Sequence, residues 1–250
     1  MFTLEKVESI VGLMTIILAY FFVVTVSGYF RAWVAVKMGD ETPEYMGFLS
    51  LSPFRHADPI GFTLLILFGF GWGRYIPIMP FNIVGRLRKI KLFIANFSDV
   101  FINLFIATVS LTGLVIYFGR FVLNISLSMM LLPQGDMLFF SLIKSINLIR
   151  EHLVMLYPTS SSFAISMVLV TIAVMYLSVL LAVLNFIISG FGFLYTMLKD
   201  RMYFWGKYSN IFVVLIPMFL IFFFISPLRI FVALGIKYFV SVLVKLLGFY

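Results

Sequence analysis

The residues that could do chemistry in this chain are few, and most lie where a polar group is costly. Asn96, Asp99 and Asn103 sit inside one long apolar run at positions i, i+3 and i+7. That spacing puts all three on one face of a helix. Ser27 and Arg31, at i and i+4, lie in an earlier run, and Asn185 lies in a later one. Polar side chains at such depth mark an interhelical contact, a polar path or a binding site. Arg31 and Asp99 carry opposite charges, one on each of two apolar runs, and two readings stand. Either the two pair inside a helix bundle, or Arg31 snorkels to an interface while Asp99 meets water near a helix end. Asn185 reads as an interhelical hydrogen-bonding amide. The histidines are His56 and His152; His152 follows Arg150-Glu151 and reads as solvated. His56 with Asp58 and Asp40 would make at most a weak metal site. Hydrolysis through Ser27 needs a neighbouring base, and Lys37, ten residues on, falls on another helix face.

The elements that must position these residues follow from hydropathy. Hydrophobic residues make up 63% of the 250 and charged residues 11%, against about 25% charged in soluble domains. The expected fold is an all-α integral membrane protein, one membrane domain over 1–250 with about six apolar segments. No polar block is long enough to fold alone. Ser9–Phe30 carries no charge, and its helix is free to continue past Arg31 to Met38. The polar, turn-rich stretch Lys37–Pro59 follows. Ile60–Trp72 is apolar but short for a helical span, and Gly69, Gly71, Gly73, Pro77 and Pro80 follow closely. Residues 60–80 therefore read as a re-entrant, β-hairpin-like or broken segment packed against protein.

Leu92–Gly119 is the next span. Two short apolar runs within 121–149 flank Pro133-Gln134-Gly135-Asp136 and are either spanning or interfacial. Ser160–Leu198 carries no charge and is too long for one straight span, so a bend is expected at Ser189-Gly190-Phe191-Gly192. Asn210–Pro227 spans again, and 228–250 is a tilted span or an interfacial helix.

The net charge of +8 does not indicate nucleic-acid binding. The basic residues cluster in short loops between apolar runs, chiefly Arg86, Arg88, Lys89 and Lys91, then Lys199, Arg201 and Lys207. The positive-inside rule places both loops in the cytoplasm, with 121–158 outside. The partner expected first is the lipid bilayer, and the expected location is a bacterial-type inner membrane crossed several times. Cys is absent, which excludes disulfides and thiolate metal sites. No cleavable signal peptide is expected from Met1–Glu8 and the long run that follows.

The order of motifs resembles the short, minimal site-2 protease family of intramembrane zinc metalloproteases. Where that family reads H-E-x-x-H-A-x-x-A-x-x-x-G-D, this chain runs from Ser27 to Asp40 and keeps Ala32, Ala35, Gly39 and Asp40. Ser27 and Arg31 replace the two histidines, and Gly28 replaces the glutamate. The family's N-P-x-x-H-x-D-P-x-G is matched by Ser52-Pro53-Phe54-Arg55-His56-Ala57-Asp58-Pro59-Ile60-Gly61, with Ser52 as the departure. Gly71-Trp72-Gly73-Arg74-Tyr75-Ile76-Pro77-Ile78-Met79-Pro80 is similar to G-W-x-K-P-V-P-V-N-P. Of the later A-G-P-x-x-N only Asn103 remains. The region of N-L-x-P and L-D-G corresponds to Asn185–Leu194, which has no Asp for a third metal ligand. The resemblance implies a re-entrant hairpin at 60–80, the N-terminus outside and Lys37–Pro59 inside.

A zinc hydrolase needs about three protein ligands and a general base. At the matched positions stand a hydroxyl, a hydrogen and a fixed cation. The expectation is therefore a pseudoprotease without metal or cofactor, acting as a membrane-embedded binding or scaffold subunit whose partner is a transmembrane segment or other membrane subunits. A transport component with a polar path through Arg31, Asn96, Asp99 and Asn103 is one alternative. A metalloprotease with an unrecognised site is the other.

Overall fold

A computed structural model describes residues 4–68, 71–118, 146–151, 153–155, 157 and 161–198, with 234, 235, 238, 241, 242 and 244–246. (His152 is not among them.) Three long helices form its frame: α1 (Leu4–Met38), α5 (Arg88–Phe118) and α6 (Ser162–Leu198). Between the first two lie α2 (Thr42–Tyr45), α3 (Pro53–His56) and α4 (Pro59–Phe68). Each long helix is apolar and long enough to cross a bilayer, over Ile10–Met38, Arg88–Tyr117 and Ser162–Leu194. In lipid a backbone must satisfy its own hydrogen bonds, and a helix does so within one segment. The chain is thus a mostly helical membrane protein, with no β-strand among the described residues. The expected segments over 121–145 and 210–227, the basic loop 199–207 and most of 228–250 fall outside those residues.

The three helices pack pairwise. The first half of α1, Ile16 to Val24, shares a core with Leu111–Val115 of α5 and Leu169–Leu184 of α6. Its second half meets α5 near Leu92 and Ala95. Helices α1 and α5 therefore run antiparallel. Phe93 packs on Phe193, and Phe97 on Phe186, so α5 and α6 are antiparallel too. It follows that α1 and α6 are parallel.

Helix α1 continues to Met38, the extension that its sequence allows. It stops at Gly39, which adopts φ 109°. Gly39 N–H donates to Val36 O and Asp40 N–H to Ala35 O, both at 3.0 Å, a Schellman close that a left-handed glycine permits.

Residues 60–80 differ in part from the hairpin expectation. Their first limb is the ten-residue helix α4. The second limb returns without regular structure and forms one isolated antiparallel bridge, Ala57 to Gly73. Helix α4 spends its amides internally, so a β ladder has nothing to pair with; the broken-segment reading describes the region. Glycine is required where the limbs touch: a Cβ on Gly61 or on Gly71 would overlap the backbone of the opposite limb. At the expected bend, Ser189-Gly190-Phe191-Gly192, helix α6 keeps its helical backbone through both glycines. A helical glycine costs only about 1 kcal/mol, and no proline removes an amide there.

Candidate functional site

The polar residues of the sequence converge at one level where α1, α5 and α6 pack together. Arg31 of α1 is 6% exposed and Asp99 of α5 is 7% exposed. The Arg31 Nη1 donates to Asp99 Oδ2 at 2.5 Å. The same nitrogen lies 3.2 Å from the Asn96 carbonyl and 3.3 Å from Ser189 Oγ on α6. Asp99 Oδ1 accepts the Val100 amide at 2.9 Å. The Tyr75 ring, from the loop before α5, lies 5.6 Å from the Arg31 guanidinium carbon. A single cation thus ties three helices and a loop together. Arg31 does not snorkel; its charge stays among protein groups.

One turn away stands a second polar layer. Ser27, Asn103 and Asn185 each lie four residues from Arg31, Asp99 and Ser189 on their own helices. The antiparallel run of α5 brings Asn103 back to the level of Ser27. Ser27 is buried and donates a long bond, 3.4 Å, to the Val24 carbonyl. Asn103 is fully buried, and neither atom of its amide finds a partner among the described residues. Asn185 is half-buried. Asn96 enters the network by its carbonyl alone, since its side chain donates to Leu92 O at 2.8 Å.

On the loop side of α1, Gly28 faces His56 of α3. His56 is 1% exposed, and its Nε2 lies 2.7 Å from the Ser50 carbonyl. A carbonyl only accepts, so Nε2 carries the proton and Nδ1 is bare. Nδ1 presses on Gly28, where any Cβ would overlap the imidazole. Burial lowers the His56 pKa, and the Arg74 cation lowers it further against the opposing pull of the Ser50 carbonyl. Tyr20 Oη donates to Trp72 O at 2.8 Å, and Ala32 packs with Phe48 and Ile76. Small residues on one stripe of α1, Gly28, Ala32 and Ala35, let the loop approach its backbone.

The weak grouping of His56, Asp58 and Asp40 does not form a metal site. Asp58 Oδ1 accepts the Gly61 amide at 2.8 Å, capping α4, whose first residue is Pro59. Asp40 is fully buried and accepts from Thr42 Oγ1 (2.6 Å), the Met79 amide (2.6 Å) and Asn82 Nδ2 (2.8 Å). Burial alone would raise the Asp40 pKa; the hydrogen bonds from Thr42, Asn82 and Met79 outweigh it and hold the carboxyl below its usual value. Both carboxylates are spent on loop geometry. No group of three His, Cys, Asp or Glu side chains suited to a metal exists among the described residues.

A zinc ion does not fit the donor set at 27–31. Ser27 offers a neutral hydroxyl already turned to its own helix, Gly28 offers nothing, and Arg31 places a permanent cation where a ligand would stand. The one carboxylate at that level, Asp99, neutralises that cation. Two members of the site had little signal in the sequence. Ser189 is visible only as the residue four after Asn185, and Tyr75 belongs to no helical pattern.

No family model matches the chain, and no solved structure matches it. Among curated proteins, a stretch of 48 residues is 48% identical to "Putative zinc metalloprotease YwhC" of Bacillus subtilis (strain 168). That stretch is 19% of this chain and 22% of the relative, so the chain matches about a fifth of that protein's length. Over that stretch the chain is similar to a metalloprotease-like protein.

Proposed function

We propose that this chain is a non-catalytic, site-2 protease-like membrane protein that serves as a binding or scaffold subunit for other membrane segments. The observation that carries the reading is the buried Arg31–Asp99 ion pair, extended to Ser189, with Arg31 at the position where the resemblance would put a metal-binding histidine. A hydrolytic zinc centre needs ligands with free lone pairs around an open coordination position. An arginine paired to the local carboxylate supplies instead a neutral crosslink between α1, α5 and α6. Such a crosslink holds a bundle in one arrangement, which suits a protein that presents a surface rather than turns over a substrate. On this reading the chain crosses a bacterial-type inner membrane several times, with Lys37–Pro59 and Arg86–Lys91 on the cytoplasmic side.

The test is elemental analysis and crosslinking of the purified full chain. The expected result is no stoichiometric zinc, with a membrane partner captured at about one per chain when the complex is crosslinked in native membranes. Roughly one zinc per chain, with peptide hydrolysis that chelation abolishes, would overturn the reading. A second reading, a transport component, draws on Asn103, whose buried amide lies one turn from the ion pair. Proteoliposome flux that Asn103→Leu abolishes would favour it over the scaffold.

A further inference from the structure

Helix α5 begins in a cluster of cations that no carboxylate among the described residues neutralises. Arg86 and Lys89 are exposed, and Lys91 is half-exposed. No carboxylate among the described residues pairs with any of the three. Arg88 differs from them, because its side chain is turned back onto the Ile83 and Pro80 carbonyls at 3.1 Å. The cluster heads a stripe of exposed apolar side chains: Leu87 at 58%, Ile90 at 54% and Ile94 at 37%. Ile90 and Ile94, four residues apart, share one face of α5, and Leu87 stands in the turn just before it. That face runs on into the outward side of the membrane span. Three cations without a carboxylate partner among the described residues, at the head of an apolar track, match a molecule with an anionic head and a long apolar tail. The same end of the bundle holds the last turn of α1, where Lys37 lies 5.9 Å from the centroid of the half-exposed Trp33 ring. Trp and Lys together are residues of the membrane–water boundary.

We propose that Arg86, Lys89 and Lys91 form a binding site for the headgroup of an anionic phospholipid, whose acyl chain lies along Leu87, Ile90 and Ile94. The positive end of the α5 dipole adds to the attraction for the same headgroup. The lipid continues the apolar surface of the span, so its chains stay in the bilayer while its phosphate meets the cations. A neutral zwitterionic lipid fits the track equally well but gains less from three positive charges. Selection is therefore by charge, and high salt weakens it.

Native mass spectrometry of the delipidated full chain tests this with two probes, phosphatidylglycerol and phosphatidylcholine of the same acyl composition. Wild-type protein is expected to retain phosphatidylglycerol at least about tenfold more strongly, given three basic residues at an anionic surface. The triple variant Arg86→Gln, Lys89→Gln, Lys91→Gln is expected to bind both lipids alike. The variant Lys89→Arg, Lys91→Arg keeps the charge and is expected to keep the preference, which separates charge from a folding defect. Equal retention of the two lipids by wild-type protein would overturn the proposal. So would a preference that persists in the glutamine variant, or one that the arginine variant loses.

Discussion

Replacing Arg31 by Met, or Asp99 by Leu, removes one half of an ion pair whose side chains are 7% and 9% exposed. Two unit charges about 4 Å apart gain about 4 kcal/mol at an effective dielectric of about 20. Losing one partner forfeits that gain and strands the other charge, at a cost of about 3–5 kcal/mol. The two single variants are not equivalent. In Asp99→Leu the guanidinium keeps the Asn96 carbonyl and Ser189 Oγ as acceptors, whereas in Arg31→Met the carboxylate keeps only the Val100 amide. The double variant replaces both charges with apolar groups of similar length and strands neither. Its loss is expected to fall to about 1 kcal/mol or less, because apolar replacements of buried ion pairs are often neutral. Denaturant titration or thermal unfolding of all four proteins in one detergent gives the coupling energy directly. Losses that simply add in the double variant would mean that Arg31 and Asp99 act independently, and the argument for a crosslinked bundle would fail.

Gly28→Ala should destabilise docking of the 39–87 loop by about 1–3 kcal/mol, since the new methyl enters the His56 ring. In a His56→Ala background the same change should become stabilising by up to about 1 kcal/mol, the ordinary gain of Ala over Gly in a helix; an unchanged sign refutes the contact. Loop docking should also depend on pH. The folded state lowers the His56 pKa from 6.5, so its contribution is fully present above that value and is lost as pH falls towards the lower folded value. Limited proteolysis of the loop between about pH 7.5 and about pH 5 should show this in wild-type protein and not in His56→Gln, whose amide donates to the same carbonyl without titrating. Finally, the chain has no native cysteine, so Arg86→Cys is a clean reporter of orientation. Membrane-impermeant maleimide should label it only when the cytoplasmic face is accessible; labelling in intact cells refutes the orientation.

The sequence by itself determined the membrane character and the face shared by Asn96, Asp99 and Asn103, and it allowed α1 to run on to Met38. Each follows from local rules: an apolar run satisfies its backbone only as a helix, and helical spacing decides which residues share a side. It also narrowed Arg31 to two fates, an interface or a partner, but the partner lies 68 positions away, and no local rule reaches that far. Only the antiparallel packing of α5 on α1, with α6 parallel to α1, decided between them. The same packing recruited Ser189 and stacked Ser27, Asn103 and Asn185 into a second layer. The form of 60–80 was legible as a break but not as a helix with an irregular return. Glycine and proline announce where regular structure ends, whereas the contact of Gly61 with the returning limb depends on where Trp72 lies in space. His56 shows the same division. Its motif stands out in the sequence, but its role as a neutral ring sealed over Gly28 exists only once the loop is folded onto α1, because burial and the Ser50 carbonyl set its protonation together.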